Sequence, residues 1–213
     1  MAARKPRKLP GKPVPTDVDP QSWLYLNPAG PSAAGTVFAV LRKAYAGRTN
    51  SALEFGYRKA HVGVVAAGVN FAVWSPNVER VEVLLPAGAD DGLANPAILL
   101  AQMDAHAVDR EKALLTCLTL PLGDVDRVHV GWERARSFLR DRVARDRQLA
   151  AVLILHAPGT INAAFPLHAH ALIVPRRITG LGIRLGLYDE ELIHDGGQAI
   201  VEALWADHVA TFR

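Results

Sequence analysis

The segment from Leu167 to Arg177 constrains the fold more than any other part of the chain. It is alternating and largely apolar, carries His168 and His170, and reaches Pro175, a pattern typical of a β-strand that enters the interior. Side chains two positions apart in a strand point to the same face of the sheet. The two imidazoles are therefore predicted to lie side by side, in a geometry that suits one metal ion.

A second apolar run supplies a third imidazole. Residues 150–156 have the continuous apolar character of a strand buried on both faces, and they end in His156. The next residues, up to His168, are long enough to turn the chain back antiparallel, which would put His156 beside His168 and His170. A His-x-His pair alone is equally compatible with packed or surface histidines. Three histidines at the ends of two adjacent strands favour a metal site.

The composition is that of a protein with a sizeable core. The chain has 213 residues, and 50% of them are apolar. No apolar run is long enough to span a bilayer, and prolines follow the basic N-terminus where a signal peptide would have an apolar core. The single cysteine, Cys117, cannot form an internal disulfide. We expect a cytoplasmic protein that does not bind membranes.

The positive charge is concentrated at the N-terminus. Five of the 24 basic residues precede Asp17, the first of the 21 acidic residues. Residues 1–20 also contain many prolines and few large apolar groups, so we expect a disordered tail there and a single domain over residues 21–213. A tail of this kind can contact nucleic-acid phosphates, and a solvated tail without a partner is an open alternative. The candidate phosphate-binding residues in the tail are Arg4, Lys5, Arg7 and Lys8.

The remaining segments give both strand and helix signals. Alternation or β-branched residues predict strands over residues 61–74, 79–85 and 113–120. Helices are predicted over residues 35–45, from Asn95 onward and over residues 200–212.

The clearest helix is predicted after Asp124, a candidate N-cap. Its apolar residues recur at spacings of three and four from Val128 to Val143. Arginines occupy most of the other face, where a solvated surface with ion pairs is favoured over a phosphate-binding ridge. The glycines of residues 179–197 match no phosphate-binding spacing and are interpreted as turns.

A buried strand that ends in His156-Ala157-Pro158, followed by the His-x-His strand of residues 167–177, resembles the MobA/MobL-type relaxases of the HUH endonuclease class. The resemblance covers roughly residues 95–212. It implies an α+β fold with a central antiparallel sheet flanked by helices, and a role in plasmid mobilisation and conjugation. It also implies a single-stranded DNA substrate, accessory mobilisation proteins as further partners, and a divalent metal, Mg or Mn, held by three histidines. Those histidines are His156, His168 and His170.

The resemblance also implies a tyrosine nucleophile. In relaxases a tyrosine attacks a DNA phosphodiester, forms a 5′-phosphotyrosyl bond and frees a 3′-hydroxyl. A phenol with an ordinary pKa of about 10 needs local positive potential to act as a phenolate near neutral pH. Tyr57 is the preferred candidate because Tyr57-Arg58 keeps the family's Tyr-Arg pair, and Tyr45 and Tyr25 remain alternatives. The basic end of the strand, Arg176-Arg177, is a candidate DNA contact.

Two other functions fit the same residues. Histidine-triad nucleotide hydrolases have alternating histidines before an apolar-Pro-Arg ending, but Leu172 stands at the third alternating position here. A DNA-binding module that kept the fold and lost the chemistry would use the basic tail and the arginine-rich helix. Loss of metal dependence would distinguish that module from an enzyme.

Overall fold

A computed structural model describes residues 19–32, 35–109, 113–157, 166–183 and 185–212. The predicted tail lies outside these ranges except for Asp19 and Pro20. The candidate phosphate-binding residues Arg4, Lys5, Arg7 and Lys8 lie outside them as well.

A six-stranded antiparallel sheet forms the centre of the fold. Its strands, in chain order, are β1 (Leu24–Leu26), β2 (Val37–Arg42), β5 (Arg80–Leu84), β6 (Ala113–Pro121), β7 (Leu149–His156) and β8 (His168–Arg177). Two short strands, β3 (Ala44–Tyr45) and β4 (Arg48–Thr49), form a separate hairpin. The spatial order is β1-β2-β6-β8-β7-β5, and every neighbouring pair is antiparallel. The strands predicted over residues 79–85, 113–120, 150–156 and 167–177 are confirmed.

Helices cover both faces of this sheet. They are α1 (Ala52–Lys59), α2 (Pro96–Ala105), α3 (Val128–Phe138) and α4 (Gly197–Thr211), with a π-helical turn (Leu139–Arg145) after α3 and short 3₁₀ turns at Pro20–Trp23 and Asp91–Ala94. Helices α3 and α4 pack on one face around Trp132, Phe138 and Trp205. Helices α1 and α2 pack on the other. The expected α+β fold, an antiparallel sheet flanked by helices, is confirmed. Within the described ranges, no helix has the length and apolar character needed to cross a membrane.

Two element predictions are wrong. The helix predicted over residues 35–45 is strand β2, whose four central residues are buried between β1 and β6. Tertiary burial of Val, Phe and Leu on both faces outweighs the local helix signal. The strand predicted over residues 61–74 is a series of turns and bends. Gly63 and Gly68 have φ values of 93° and 77° there, and Val64 is 77% exposed, so the alternation buries no face.

The helix predicted after Asp124 is present, but its N-cap is different. Helix α3 starts after Arg127, which makes no side-chain capping bond. Asp124 pairs instead with Arg134, in the second turn of the helix, at 2.6 Å between Oδ2 and Nη1. The predicted ion pairs of this face are confirmed, for example between Arg136 and Glu82.

Candidate metal centre

Three histidines meet where β7 ends and β8 begins. The antiparallel register places His156 directly opposite His168, and His170 follows two residues later on the same face. The ring centroids are 4.9 to 5.3 Å apart, and one nitrogen from each ring lies within 4.8 Å of the other two. Nitrogens bound to one ion at about 2.1 Å are about 3 to 4 Å apart, so small side-chain rotations close the site around an ion.

Each imidazole has one nitrogen engaged by the protein. Nε2 of His156 lies 2.9 Å from the carbonyl oxygen of Lys59, and Nδ1 of His168 lies 2.9 Å from that of Pro166. Nδ1 of His170 lies 3.1 Å from Oγ1 of Thr119. Since carbonyl oxygens only accept, the first two nitrogens carry the proton and the opposite nitrogens keep a lone pair. Partners of this kind orient metal-binding histidines, so this donor set fits a divalent metal.

The electrostatics keep the rings of His156 and His170 neutral. Burial lowers the pKa of His156 to about 4 and the pKa of His170 well below its usual range. The positive charge of Lys59 and the neighbouring imidazoles lower both pKa values further. At neutral pH these two rings are therefore uncharged and available as ligands.

Helix α1 lies against the face of the sheet that carries the histidines. Its last residue, Lys59, provides the carbonyl that contacts His156. Gly56 allows the close approach: a Cβ there would lie 2.3 Å from Cδ1 of Leu100 and 3.6 Å from Cδ1 of Leu172. At the other end of α1, the carboxylate of Asp104 accepts hydrogen bonds from the side chain and backbone of the first turn.

Of the four tyrosines, Tyr57 is the one on α1, the helix whose Lys59 carbonyl contacts His156. It lies two residues before Lys59 and is 6% exposed. Tyr25 lies on the edge strand β1 against Tyr45, and strands β2 and β6 separate β1 from β8. Tyr188 pairs with Arg176, near the opposite end of β8 from the histidines. The structure thus brings the preferred tyrosine, but neither alternative, onto the element next to the site.

The structure places the two arginines far from the histidines. Arg176 and Arg177 end β8, and about 26 Å of strand separates Arg176 from His168. Arg176 is buried, its Nε donates to the Gly186 carbonyl at 3.0 Å, and its guanidinium lies over the Tyr188 ring. Arg177 is exposed. A DNA-binding role for both residues stays a prediction.

Two contacts of the site were not identified from the sequence. Thr119 lies in the predicted strand 113–120, but only the β6–β8 register puts it opposite His170. The Lys59 contact uses a backbone carbonyl, which every residue has, so no residue type in the sequence could indicate it.

Comparisons with known proteins give only weak structural similarity. No family model matches the chain, and no curated protein matches it. A solved structure described as "Molecular Basis of Vancomycin Resistance Transfer in Staphylococcus aureus" is similar over 63% of this chain and 71% of that one. The sequence identity is 18% and the TM-score is 0.47, values too low to bear on the activity of this chain.

Proposed function

We propose that this protein nicks and joins single-stranded DNA in a metal-dependent reaction of the relaxase kind. The observation that carries the proposal is the convergence of His156, His168 and His170, with one nitrogen of each ring held by the protein and the other available to a ligand. These are the same residues on which the sequence resemblance to MobA/MobL-type relaxases rests.

The histidines would hold a divalent ion such as Mg or Mn. When bound, such an ion polarises the scissile phosphate and offsets the negative charge that builds up in the transition state. The Lys59 and Pro166 carbonyls and the Thr119 hydroxyl orient the three rings. Because burial keeps His156 and His170 uncharged, they do not repel a cation at neutral pH.

Tyr57 is the proposed nucleophile. Its phenolate oxygen attacks the phosphorus, the bond from phosphorus to the 3′ oxygen breaks, and that oxygen takes up a proton to leave as a 3′-hydroxyl. The product is a 5′-phosphotyrosyl bond, and attack by a 3′-hydroxyl restores the phosphodiester and the free tyrosine. The place of Tyr57 on α1, one turn or less from the carbonyl that contacts His156, supports this role.

The DNA backbone needs further positive contacts. The basic residues of the N-terminal tail supply phosphate contacts that are independent of base sequence. Arg177, exposed at the end of β8 far from the histidines, is a further candidate contact for the DNA backbone. Accessory mobilisation proteins are further partners in this proposal.

The proposal is tested by looking for a covalent protein–DNA adduct. The full chain is incubated with labelled single-stranded oligonucleotides from its own DNA neighbourhood, with manganese or with chelator, and run on a denaturing gel. We expect a manganese-dependent adduct that is lost in Tyr57→Phe and His170→Ala. Tyr25→Phe and Tyr45→Phe, which make the same change far from the histidines, should retain it. An adduct that survives in Tyr57→Phe would remove the nucleophile assignment.

Two other outcomes would select the competing functions. DNA binding that persists without metal in His168→Ala/His170→Ala, with no adduct on either strand, would establish a non-catalytic module. Bound metal and nucleotide hydrolysis without any adduct would favour the histidine-triad alternative.

A further inference from the structure

The proposed nucleophile is covered by the segment that follows α1. Tyr57 is 6% exposed, and three side chains from residues 61–77 lie against its ring. His61 stacks on the ring with 3.9 Å between centroids, and Phe71 and Trp74 lie edge-on to it at 5.4 and 5.9 Å. We refer to residues 61–77 as the cap.

The nicking reaction needs more space around Tyr57 than this arrangement offers. The attacking oxygen must come within about 3 to 3.5 Å of the phosphorus and in line with the bond that breaks. A phosphodiester carries a sugar on each side, so it cannot make that approach to a side chain that is 6% exposed. Either the cap or the helix that carries Tyr57 must therefore move before DNA can react.

The cap is held in place less firmly than the helix. Every residue from 61 to 77 is exposed or half-buried, and the backbone consists of turns, bends and irregular segments. Val64 and Val73 are 77% and 63% exposed. Helix α1, in contrast, buries Phe55 in the core. A surface segment with few buried apolar contacts opens at a lower free energy than a core helix, so the cap is the part that moves.

The closed cap also leaves a buried polar group without a hydrogen bond. The Trp74 ring packs against the core, and its Nε1 is buried with no hydrogen-bond partner among the described residues. An indole N–H in this state costs free energy, because water would accept its hydrogen bond if the ring were exposed. Opening the cap removes that penalty.

Polar contacts at the two ends of the cap oppose opening. The side chain of Asn77 joins these ends: its Oδ1 accepts from the backbone N of Val62 at 2.5 Å, and its Nδ2 donates to the Val62 carbonyl at 3.3 Å. The ring nitrogens of His61 lie 2.6 and 2.7 Å from the carbonyl oxygens of Tyr57 and Ser75. A variant that loses the Asn77 bonds should therefore favour the open form.

We propose that residues 61–77 form a cap that closes over Tyr57 and must open before single-stranded DNA can reach the phenol. This inference rests on the proposed function, in which Tyr57 is the nucleophile. It makes the rate of nicking depend on the fraction of molecules whose cap is open, since only that fraction can bind DNA productively.

The shielding of Tyr57 is measured without DNA. The full chain is nitrated with tetranitromethane, and the modified tyrosines are mapped by mass spectrometry of peptides. We expect Tyr57 to react at least tenfold more slowly than half-buried Tyr45 in the wild type. Asn77→Ala should speed the nitration of Tyr57 about tenfold and leave Tyr188 unchanged, which shows that the fold is intact elsewhere. Val64→Ala, an exposed change within the cap, should match the wild type.

The role of the cap in nicking is measured by adduct formation with manganese at low DNA concentration. Asn77→Ala should form the adduct faster than the wild type, by the same factor as its nitration, because a larger fraction of molecules is open. Val64→Ala should again match the wild type. Faster nitration of Tyr57 with unchanged adduct formation would overturn the proposal, and so would wild-type nitration of Tyr57 as fast as that of Tyr45.

A second variant covers the case in which Asn77→Ala unfolds, which faster nitration of Tyr188 would reveal. Phe71→Ala removes one contact with Tyr57 and keeps the hydrogen bonds of Asn77, so both rates should rise in it as well. Unchanged nitration of Tyr57 in a folded variant would overturn the proposal. A wild-type chain that forms no adduct would instead refute the proposed function, and the nitration rates would still decide whether the cap shields Tyr57.

Discussion

Each histidine of the metal centre uses its two ring nitrogens for different purposes. One nitrogen contacts a carbonyl or hydroxyl of the protein, and the other remains for a ligand. The carbonyl partners of His156 and His168 fix which nitrogen carries the proton, and all three partners orient their rings. Such partners strongly influence metal affinity. Thr119 is the side chain among these partners, and it can be changed without disturbing the backbone.

Replacing Thr119 by valine should weaken metal binding by about 10- to 100-fold, because His170 loses its orienting partner. Titration calorimetry with manganese measures this change. Thr116→Val is the matched control on the same strand: the Thr116 hydroxyl bonds the Leu192 carbonyl on the other face of the sheet. That variant should lose about 1 kcal/mol of stability and keep its metal affinity. Equal metal affinities in both variants would contradict the role of Thr119.

The histidines should also make the metal-free protein sensitive to mild acid. The folded pKa of His156 is about 4, below the ordinary value of 6.5, so between these pH values the unfolded chain binds a proton that the folded chain excludes. Stability therefore falls as the pH drops from 6.5 toward 4. Between pH 7.5 and 5 the His156 contribution is roughly 1 to 2 kcal/mol, allowing for solvent screening.

Urea unfolding in chelator at these two pH values checks this sensitivity. His156→Gln should lose less stability on acidification than the wild type. His129→Gln, which changes an exposed histidine, should behave as the wild type does. A His156→Gln variant with an undiminished loss would contradict the burial argument.

At the scale of elements, α1 is the helix that links the proposed nucleophile to the metal centre. Its C-terminal carbonyl contacts His156, and its N-terminal turn is bonded to Asp104 of α2. The Asp104 oxygens accept from Ser51 Oγ at 2.6 Å, from Ala52 N at 2.6 Å and from Leu53 N at 3.1 Å. A carboxylate at a helix N-terminus satisfies free N–H groups and complements the helix dipole.

Asp104→Ala should therefore destabilise the protein by about 2 kcal/mol and slow adduct formation, because α1 loses its anchor. Thermal unfolding measures the first effect and the adduct assay the second. Asp90→Ala removes a comparable cap, the bond to Gly92 N, from an exposed 3₁₀ turn. It should cost less than 1 kcal/mol and leave the adduct rate unchanged. A smaller loss in Asp104→Ala than in Asp90→Ala would contradict the importance of this anchor.

The sequence predicted the elements whose burial pattern is strong and local. Strands β7 and β8 are continuous or alternating apolar runs, and Asn95-Pro96 is a clear helix start, so all three are where the pattern predicts them. The helix predicted over residues 35–45 and the strand predicted over residues 61–74 are wrong for the same reason. The first segment is buried on both faces and the second is exposed, and both outcomes depend on packing with distant segments.

At the scale of the whole molecule, the site is assembled from parts that are far apart in the chain. The ends of β7 and β8 supply the histidines, β6 supplies Thr119, and α1 supplies the Lys59 carbonyl. The sequence predicted the three ligands, since a strand places alternate residues on one face and an antiparallel turn returns the chain to its neighbour. It could not predict Thr119 or Lys59 as partners, because these contacts depend on sheet order and on where α1 lies.

The central claim is that His156, His168 and His170 together hold one divalent ion. The most direct test is the metal content of the full chain after equilibration with manganese and removal of free ion, measured by elemental analysis. We predict one ion per chain in the wild type and in His129→Ala, and a loss of at least tenfold in affinity when any one of the three histidines becomes alanine. A wild-type chain that binds no ion, or alanine variants that bind as the wild type does, would contradict the account.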